Sequence, residues 1–348
     1  MRIITLSLLL CGLVIPSFGV RPPLKGYTYA SEQAPTGKEW QSPENLALNK
    51  EQPHAWFFPF QDIKSARKVL PENSIYWQSL NGNWKFNWAA DPDSRPKDFY
   101  KTDFDVTAWD NIPVPSSWNI YGIQQDGSLK YGVPIYVNQP VIFMHSVKVD
   151  DWRGGVMRTP PTNWTTYKYR NEVGSFRREF EIPEHWDGRE VFISFDGVDS
   201  FFYLWINGMY VGFSKNSRNT ANFNITNYLR SGKNIVAAEV YRNSDGSFLE
   251  AQDMFRLPGI FRTVALYSTP KVQIRDLVAT PDLDNNYTDG SLTIQADIRN
   301  FGKKTAKGYK VCYSLYANKL YSDENEPVIL ATDTKGAAIR NCVVAQVE

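Results

Sequence analysis

Short runs that alternate apolar and polar residues recur along the sequence, separated by turn-forming residues. One run puts Trp84, Phe86 and Trp88 on a single face of a strand, because successive side chains of a strand point to opposite faces. Asn207-Gly208 joins two further runs, and Asn-Gly is the strongest short hairpin signal because both residues accept positive φ. With no long helical period beside these runs, the sequence predicts an all-β sandwich.

The composition limits the class of protein. Of the 348 residues, 42% are hydrophobic and 14% aromatic, so the chain can build a large core and has room for two domains. The 38 basic residues are balanced by 37 acidic ones. That balance supplies no positive patch for nucleic acid or for an anionic membrane, and we expect neither partner.

The first 50 residues are predicted to lie outside the sandwich. Residues 1–19 have the features of a signal peptide: Arg2, an apolar run over 3–15, and Ser17-Phe18-Gly19 as a cleavage site. The apolar run is too short for a membrane span, which needs ~20 residues. We therefore expect export to the periplasm or the extracellular space. Residues 20–50 combine Pro and Gly with polar residues and predict an extended arm.

Two sandwiches are predicted to follow, over 51–270 and 271–348. The second contains strictly alternating runs at 292–298 and 309–315, as expected of strands with one buried face. It is shorter than the ~100 residues of an immunoglobulin-like domain, and the run at 342–347 reads as an interrupted strand. We expect this second sandwich to be incomplete.

Residues 242–262 form the most informative connection between strands. Loops longer than ~12–15 residues in a compact domain are usually functional or disordered. Disorder is disfavoured because this stretch is too apolar to remain solvated. We therefore predict an ordered loop that presents polar groups. Its apolar residues are Phe248, Leu249, Met254, Phe255, Leu257, Ile260 and Phe261.

The same loop resembles the β-galactosidase branch of glycoside hydrolase family 2. Ser244-Asp-Gly-Ser, Leu249-Glu, Gln252-Asp-Met and Gly259-Ile-Phe-Arg262 carry the resemblance, which extends over roughly residues 52–300. The resemblance implies a jelly-roll-like galactose-binding sandwich followed by a truncated immunoglobulin-like one. Further matching segments are Leu80-Asn-Gly-Asn-Trp84, Val114-Pro-Ser-Ser-Trp118, Pro134-Ile-Tyr-Val-Asn138, Phe195-Asp-Gly-Val-Asp-Ser200 and Leu204-Trp-Ile-Asn-Gly208.

The resemblance also implies where the chemistry lies. Both catalytic glutamates of the family belong to a (β/α)₈ barrel that this sequence does not contain, so we assign no catalytic residue. Glu250 is expected to support the loop. Asp253 matches an aspartate that reaches into the barrel's active site, where it contacts galactosyl hydroxyls and a sodium ion. Asn138 matches an asparagine that points at the same pocket. The structural alternatives are a loop-capping aspartate and a turn-forming asparagine.

For the complete enzyme the resemblance implies a galactoside substrate, retention of configuration, and Mg²⁺ and Na⁺ as ions. Its partner would be the missing barrel of the same polypeptide, and assembly into a homo-oligomer is allowed. A zinc site is disfavoured because the histidines are scattered and only Cys312 and Cys342 remain after signal removal; export would permit a disulfide between them. The alternatives are a free-standing carbohydrate-binding module, a β-glucuronidase or β-mannosidase relative, and a protein-binding scaffold.

Overall fold

The structure is a computed structural model that describes residues 34–66, 68, 70–137, 171–250, 252–315 and 339–344. Two short helices are α1 (Ile63–Ala66) and α2 (Trp118–Tyr121), and single 3₁₀ turns include Glu39–Gln41 and Asp245–Phe248. The strands are β1 (Ala47–Leu48), β2 (Trp77–Ser79), β3 (Gly82–Ala89), β4 (Asp110–Val114), β5 (Ile135–Val137), β6 (Val173–Glu181), β7 (Glu190–Phe195), β8 (Phe201–Ile206), β9 (Met209–Lys215), β10 (Ala221–Asn224), β11 (Lys233–Tyr241), β12 (Met254–Arg256), β13 (Val264–Thr269), β14 (Val272–Leu283), β15 (Gly290–Asn300), β16 (Lys310–Leu315) and β17 (Ile339–Val344).

Two antiparallel sheets form the first sandwich. One has the order β1-β9-β8-β11-β6-β3-β4, and the other the order β10-β7-β13-β2. The main core lies between them, and strand β8 shows why: Phe202, Leu204 and Ile206 belong to this core. The alternate residues of β8 pack into a second apolar cluster on the other face of the larger sheet. The predicted all-β fold is confirmed.

The segment before β1 is part of the folded unit, which corrects the prediction of an extended arm for the described residues 34–50. Trp40 is 4% exposed and stacks on Tyr241 with ring centroids 5.4 Å apart. Strand β1 then extends the larger sheet by pairing with β9. The sequence did not predict that this region packs on the sandwich, because one buried tryptophan and a two-residue strand leave no periodic pattern.

The predicted Asn207-Gly208 hairpin is confirmed. Asn207 has φ 53° and Gly208 φ 81°, and the turn joins β8 to β9, which pair antiparallel. The side chain of Asn207 also reaches across the fold, donating to the carbonyl of Tyr228 at 2.8 Å. The turn therefore fixes both the hairpin register and the neighbouring strand connection.

We expect Gly208→Ala to lower the free energy of unfolding by about 1–2 kcal/mol, the cost of a left-handed conformation for an L-residue. A Cβ at this position would meet no atom closer than 3.7 Å, so the cost is conformational and not steric. Gly290→Ala is the matched control, because its nearest contact would be 3.9 Å and it requires no positive φ. Urea unfolding of both variants tests this, and equal stabilities would contradict it.

The described part of the second region consists of two antiparallel pairs, β14 with β15 and β16 with β17. Cys312 is disulfide-bonded, and the strand register places it directly opposite Cys342. The assembly of these pairs into an immunoglobulin-like sandwich stays a prediction. Across the described ranges, no helix has the length and apolarity required to cross a bilayer.

Candidate functional site

The stretch 242–262, here called the Asp253 loop, is ordered at its start by a capping box. Ser244 precedes the 3₁₀ turn Asp245–Phe248, and its hydroxyl accepts a hydrogen bond from the Gly246 N–H at 3.2 Å. The Ser247 hydroxyl reciprocally accepts from the Ser244 N–H at 3.1 Å. These local bonds satisfy donors that a turn otherwise leaves free, so the turn has one defined conformation.

Two acidic side chains attach this turn to the end of β9. Asp245 forms an ion pair with the buried Lys215 at 2.9 Å. Glu250 accepts from the Ser217 N–H at 2.7 Å and, through its other oxygen, from the Ser217 hydroxyl. Because both carboxylate oxygens of Glu250 are engaged within the chain, its geometry is that of a loop support.

Arginine 256 holds the second half of the loop. Its guanidinium donates to the carbonyls of Glu250 and Gln252, the latter at 2.6 Å. Strand β12 then pairs with β5, which puts Phe255 opposite Tyr136, and their ring centroids are 5.4 Å apart. Asp253 directly precedes β12, so a ribbon of two strands carries it.

Asp253 is exposed at the surface of this ribbon. Its Oδ1 accepts a hydrogen bond from the Tyr136 hydroxyl, and this bond raises the pKa of Tyr136 above its ordinary value because the carboxylate disfavours the phenolate. The bond fixes the carboxylate while leaving it accessible from outside. Sequence reasoning missed Tyr136, although it lies in the Ile135-Tyr-Val-Asn138 segment that carried the family resemblance. Asn138 itself lies outside the described residues.

Three apolar or aromatic side chains of the loop and of β5 are exposed. Leu249 is 87% exposed, Phe255 60% and Tyr136 54%. The expectation that the apolar side chains of the loop avoid solvent is wrong for Leu249 and Phe255. The loop contacts the core through Ile260 instead, which is fully buried. Exposed apolar clusters around polar groups are typical of interaction surfaces.

A buried ion pair between Arg242 and Glu172 lies at the start of the Asp253 loop. Glu172 directly precedes β6 and Arg242 directly follows β11, where Val173 and Tyr241 are register partners. Arg242 donates to Glu172 Oε1 at 2.6 Å, and the two side chains are 1% and 0% exposed. Trp118 donates to the other carboxylate oxygen at 2.9 Å. The ion pair therefore joins the start of β6 to the first residue of the Asp253 loop, and Trp118 attaches α2 to the same carboxylate.

The same guanidinium fixes the approach to β5. Arg242 donates to the carbonyl of Val133 at 2.9 Å, three residues before Tyr136. Gly132 has φ 76°, and a Cβ there would lie 2.2 Å from a Glu172 oxygen, so only glycine fits. The ion pair thereby positions both sides of the ribbon that presents Asp253.

A second carboxyl group, that of Asp199, lies beneath the loop, within the matching segment Phe195-Asp-Gly-Val-Asp-Ser200. Its backbone N–H donates to the carbonyl of Gly259 at 3.0 Å. Burial raises the pKa of its carboxyl to about 7; the nearby Arg218 lowers it in part and the Glu250 carboxylate raises it further. The Asp199 carboxyl is therefore harder to ionise than that of an ordinary aspartate.

The proton on the Asp199 carboxyl should make a pH-dependent contribution to stability, because the pKa of this group is raised in the folded chain. The unfolded chain loses it near pH 4, whereas the folded chain retains it up to about pH 7, so Asp199 favours folding at low pH and loses that contribution as pH rises from about 4 to 7. We expect wild type to lose stability relative to Asp199→Asn across that window in urea unfolding. A difference that stays constant with pH would contradict the assignment.

Within the described ranges, no three His, Cys, Asp or Glu side chains converge as a metal site. Asp253 offers a single hard oxygen, Oδ2, beside the one bonded to Tyr136. Such an oxygen suits an alkali or alkaline-earth ion but supplies only one ligand. The described residues can thus contribute to a cation site without completing it.

The chain belongs to glycosyl hydrolase family 2. Residues 77–270 match the family described as "Glycosyl hydrolases family 2, sugar binding domain", which confirms the resemblance seen in the sequence. Among curated proteins, a β-galactosidase of Priestia megaterium is 42% identical over 264 residues, which are 76% of this chain and 24% of that protein. A β-galactosidase of Halalkalibacterium halodurans is 36% identical over 74% of this chain and 23% of its own length.

The chain therefore spans about a quarter of the length of these relatives. Among solved structures, a Bacteroides uniformis β-glucuronidase is similar over 78% of this chain and 26% of its own, with 17% identity and a TM-score of 0.47. A structural likeness of this size does not separate one sugar specificity from another.

Proposed function

We propose that this chain is the N-terminal, non-barrel part of an exported β-galactosidase that hydrolyses terminal β-D-galactosides with retention. One observation carries the proposal: Asp253 is turned outward on a loop whose backbone is fixed from several sides. An outward carboxylate amid exposed apolar side chains is suited to a neighbouring domain that closes over it. That domain would be the (β/α)₈ barrel, which holds the catalytic pair in this family.

The contacts of the carboxyl groups indicate which roles belong to this chain and which to the barrel. Retaining hydrolysis needs two carboxyls ~5–5.5 Å apart on either side of one glycosidic bond. Both oxygens of Glu250 are bonded to Ser217, and Asp253 is bonded to Tyr136. We therefore assign the nucleophile and the acid/base to the barrel. Asp253 supplies acceptors for sugar hydroxyls, since a carboxylate makes the stronger, charge-assisted hydrogen bonds.

Asp253 would also supply one ligand to a sodium ion, with the others contributed by the barrel. Tyr136 would keep one carboxylate oxygen occupied and so direct the second toward the pocket. Asn138, an amide with both a donor and acceptors, would complete the same edge of the pocket. Mg²⁺ is proposed, with Na⁺, as an ion of the complete enzyme, and residues 1–19 are proposed to be a signal peptide removed on export.

The test is hydrolysis by a polypeptide extended through the rest of its reading frame. We expect it to cleave 4-nitrophenyl β-D-galactopyranoside in preference to the corresponding glucuronide and mannoside, and the 348-residue chain alone to cleave none. A preference for the glucuronide would replace the proposed specificity. Turnover by the 348-residue chain alone, abolished in Asp253→Ala, would refute the division between sandwich and barrel.

A further inference from the structure

The outer face of the four-stranded sheet carries a groove that the proposed function does not use. The inner face of this sheet supplies Ile193 and Leu266 to the main core. The outer face is formed by the alternate residues of β2, β13 and β7, and it lines a cavity of about 430 Å³. That volume falls within the ~300–1,000 Å³ typical of small-molecule sites.

Small side chains make the floor of the groove. The strand register aligns Ser79 with Ala265 and Ala265 with Ser194 across three neighbouring strands. The next row aligns Trp77 with Tyr267, and Tyr267 stacks on Phe192 with ring centroids 5.0 Å apart. A row of small residues beside a row of large aromatic ones produces a depression along the sheet.

The connection before α1 supplies the wall. Phe58 lies edge-on to Tyr267, with ring centroids 5.9 Å apart, and Trp56 lies edge-on to Phe58 at 4.8 Å. This series of rings holds Trp56 at the groove although its side chain is 60% exposed. A large flat ring that is held in place and open to solvent is ready to stack on a ligand.

Polar groups form another rim of the groove. Asp196 accepts from the Ser194 hydroxyl through Oδ1 at 2.9 Å, which orients the carboxylate. Asn81 donates to the Thr263 hydroxyl at 3.2 Å and accepts from the Val264 N–H at 2.9 Å, so this rim is preorganised. Glu72 adds a second carboxylate to the lining.

We propose that this groove binds a neutral pyranose unit of a glycan. The ring of Trp56 would stack on the apolar C–H face of the sugar, while Asp196 and Asn81 would receive its hydroxyl donors. Two carboxylates in the lining, Glu72 and Asp196, disfavour an anionic sugar, so we expect a neutral sugar to bind in preference to a uronic acid. The site lies on the outer sheet face, built from residues other than those of the Asp253 loop, and it does not depend on the galactosidase assignment.

The experiment is an NMR titration of the tryptophan indole N–H signals of the 348-residue chain with lactose, cellobiose and methyl β-D-glucuronide. We expect the Trp56 and Trp77 signals to shift saturably with the two neutral disaccharides and not with the uronide. Trp56→Ala should weaken disaccharide binding about tenfold, roughly the contribution of one aromatic stacking contact. Asp196→Asn should weaken it as well, by removing the charged acceptor.

Two variants separate binding in this groove from general surface effects. Leu46→Ala removes another exposed apolar side chain and should leave binding unchanged. Glu44→Gln, which changes an exposed carboxylate outside the groove, should also leave it unchanged, whatever the outcome of the hydrolysis test. No saturable shift at Trp56 with either disaccharide would overturn the proposal, as would binding that is lost in Glu44→Gln but retained in Trp56→Ala. Binding absent from the extended polypeptide would assign the groove to an internal interface instead.

Discussion

Glu172→Ala is expected to lower the free energy of unfolding by about 3–5 kcal/mol, the cost of breaking a buried ion pair by removing one partner. The variant leaves the Arg242 guanidinium at 1% exposure without its counter-charge. It also removes the acceptor of the Trp118 indole N–H. Because folded domains are stable by only about 5–15 kcal/mol, the loss is a large share of the total.

Urea unfolding followed by tryptophan fluorescence measures this effect. Glu179→Ala is the matched control on the same strand, since Glu179 and its partner Lys233 are 63% and 72% exposed and such surface pairs contribute at most about 1 kcal/mol. Combining Glu172→Ala with Arg242→Met should recover part of the loss, because no buried charge then remains. Similar losses for Glu172→Ala and Glu179→Ala would show that the buried pair does not have the assigned role.

Asp253→Asn is expected to reduce kcat/KM for a galactoside by about 10- to 150-fold in the polypeptide that includes the proposed barrel. The range corresponds to the 1.5–3 kcal/mol of a hydrogen bond to a charged group. Folding should be unaffected because the side chain is exposed and the loop is held by other residues. Glu44→Gln, which changes another exposed carboxylate, is the control.

Tyr136→Phe provides a second measurement on the same site. It removes the hydrogen bond that orients Asp253 but retains the carboxylate, so we expect a smaller loss than in Asp253→Asn. A full-sized loss in Tyr136→Phe would indicate that the phenol itself contacts the substrate. Unchanged kinetics in Asp253→Asn would remove Asp253 from the active site.

The sequence predicts those parts of the fold that depend on neighbouring residues. The alternation through Trp84 and Phe86 and the turn at Asn207-Gly208 are local, and both are confirmed. The buried position of Trp40 could not be predicted, because it depends on Tyr241, far along the chain. The Glu172–Arg242 pair is likewise a consequence of the β6–β11 register.

The candidate site likewise has some features that the local sequence predicts and others that depend on distant residues. The family resemblance singled out Asp253, and local capping chemistry explains the order of its loop. The outward orientation of Asp253 and its bond to Tyr136 depend on the pairing of β12 with β5, which no local pattern specifies. Leu249 and Phe255 face outward from the sandwich and are exposed. Their hydrophobicity alone predicts the opposite, namely that both side chains are buried.

The central claim is that the Asp253 carboxylate of this chain forms part of an active site whose catalytic residues lie on the barrel. The most direct measurement mixes the purified 348-residue chain with the separately produced remainder of the polypeptide and follows hydrolysis of 4-nitrophenyl β-D-galactopyranoside. We predict that activity appears on mixing, saturates with the concentration of the chain, and is strongly reduced when the chain carries Asp253→Asn. Equal activity with the wild-type and Asp253→Asn chains, or full activity of the remainder alone, would contradict the claim.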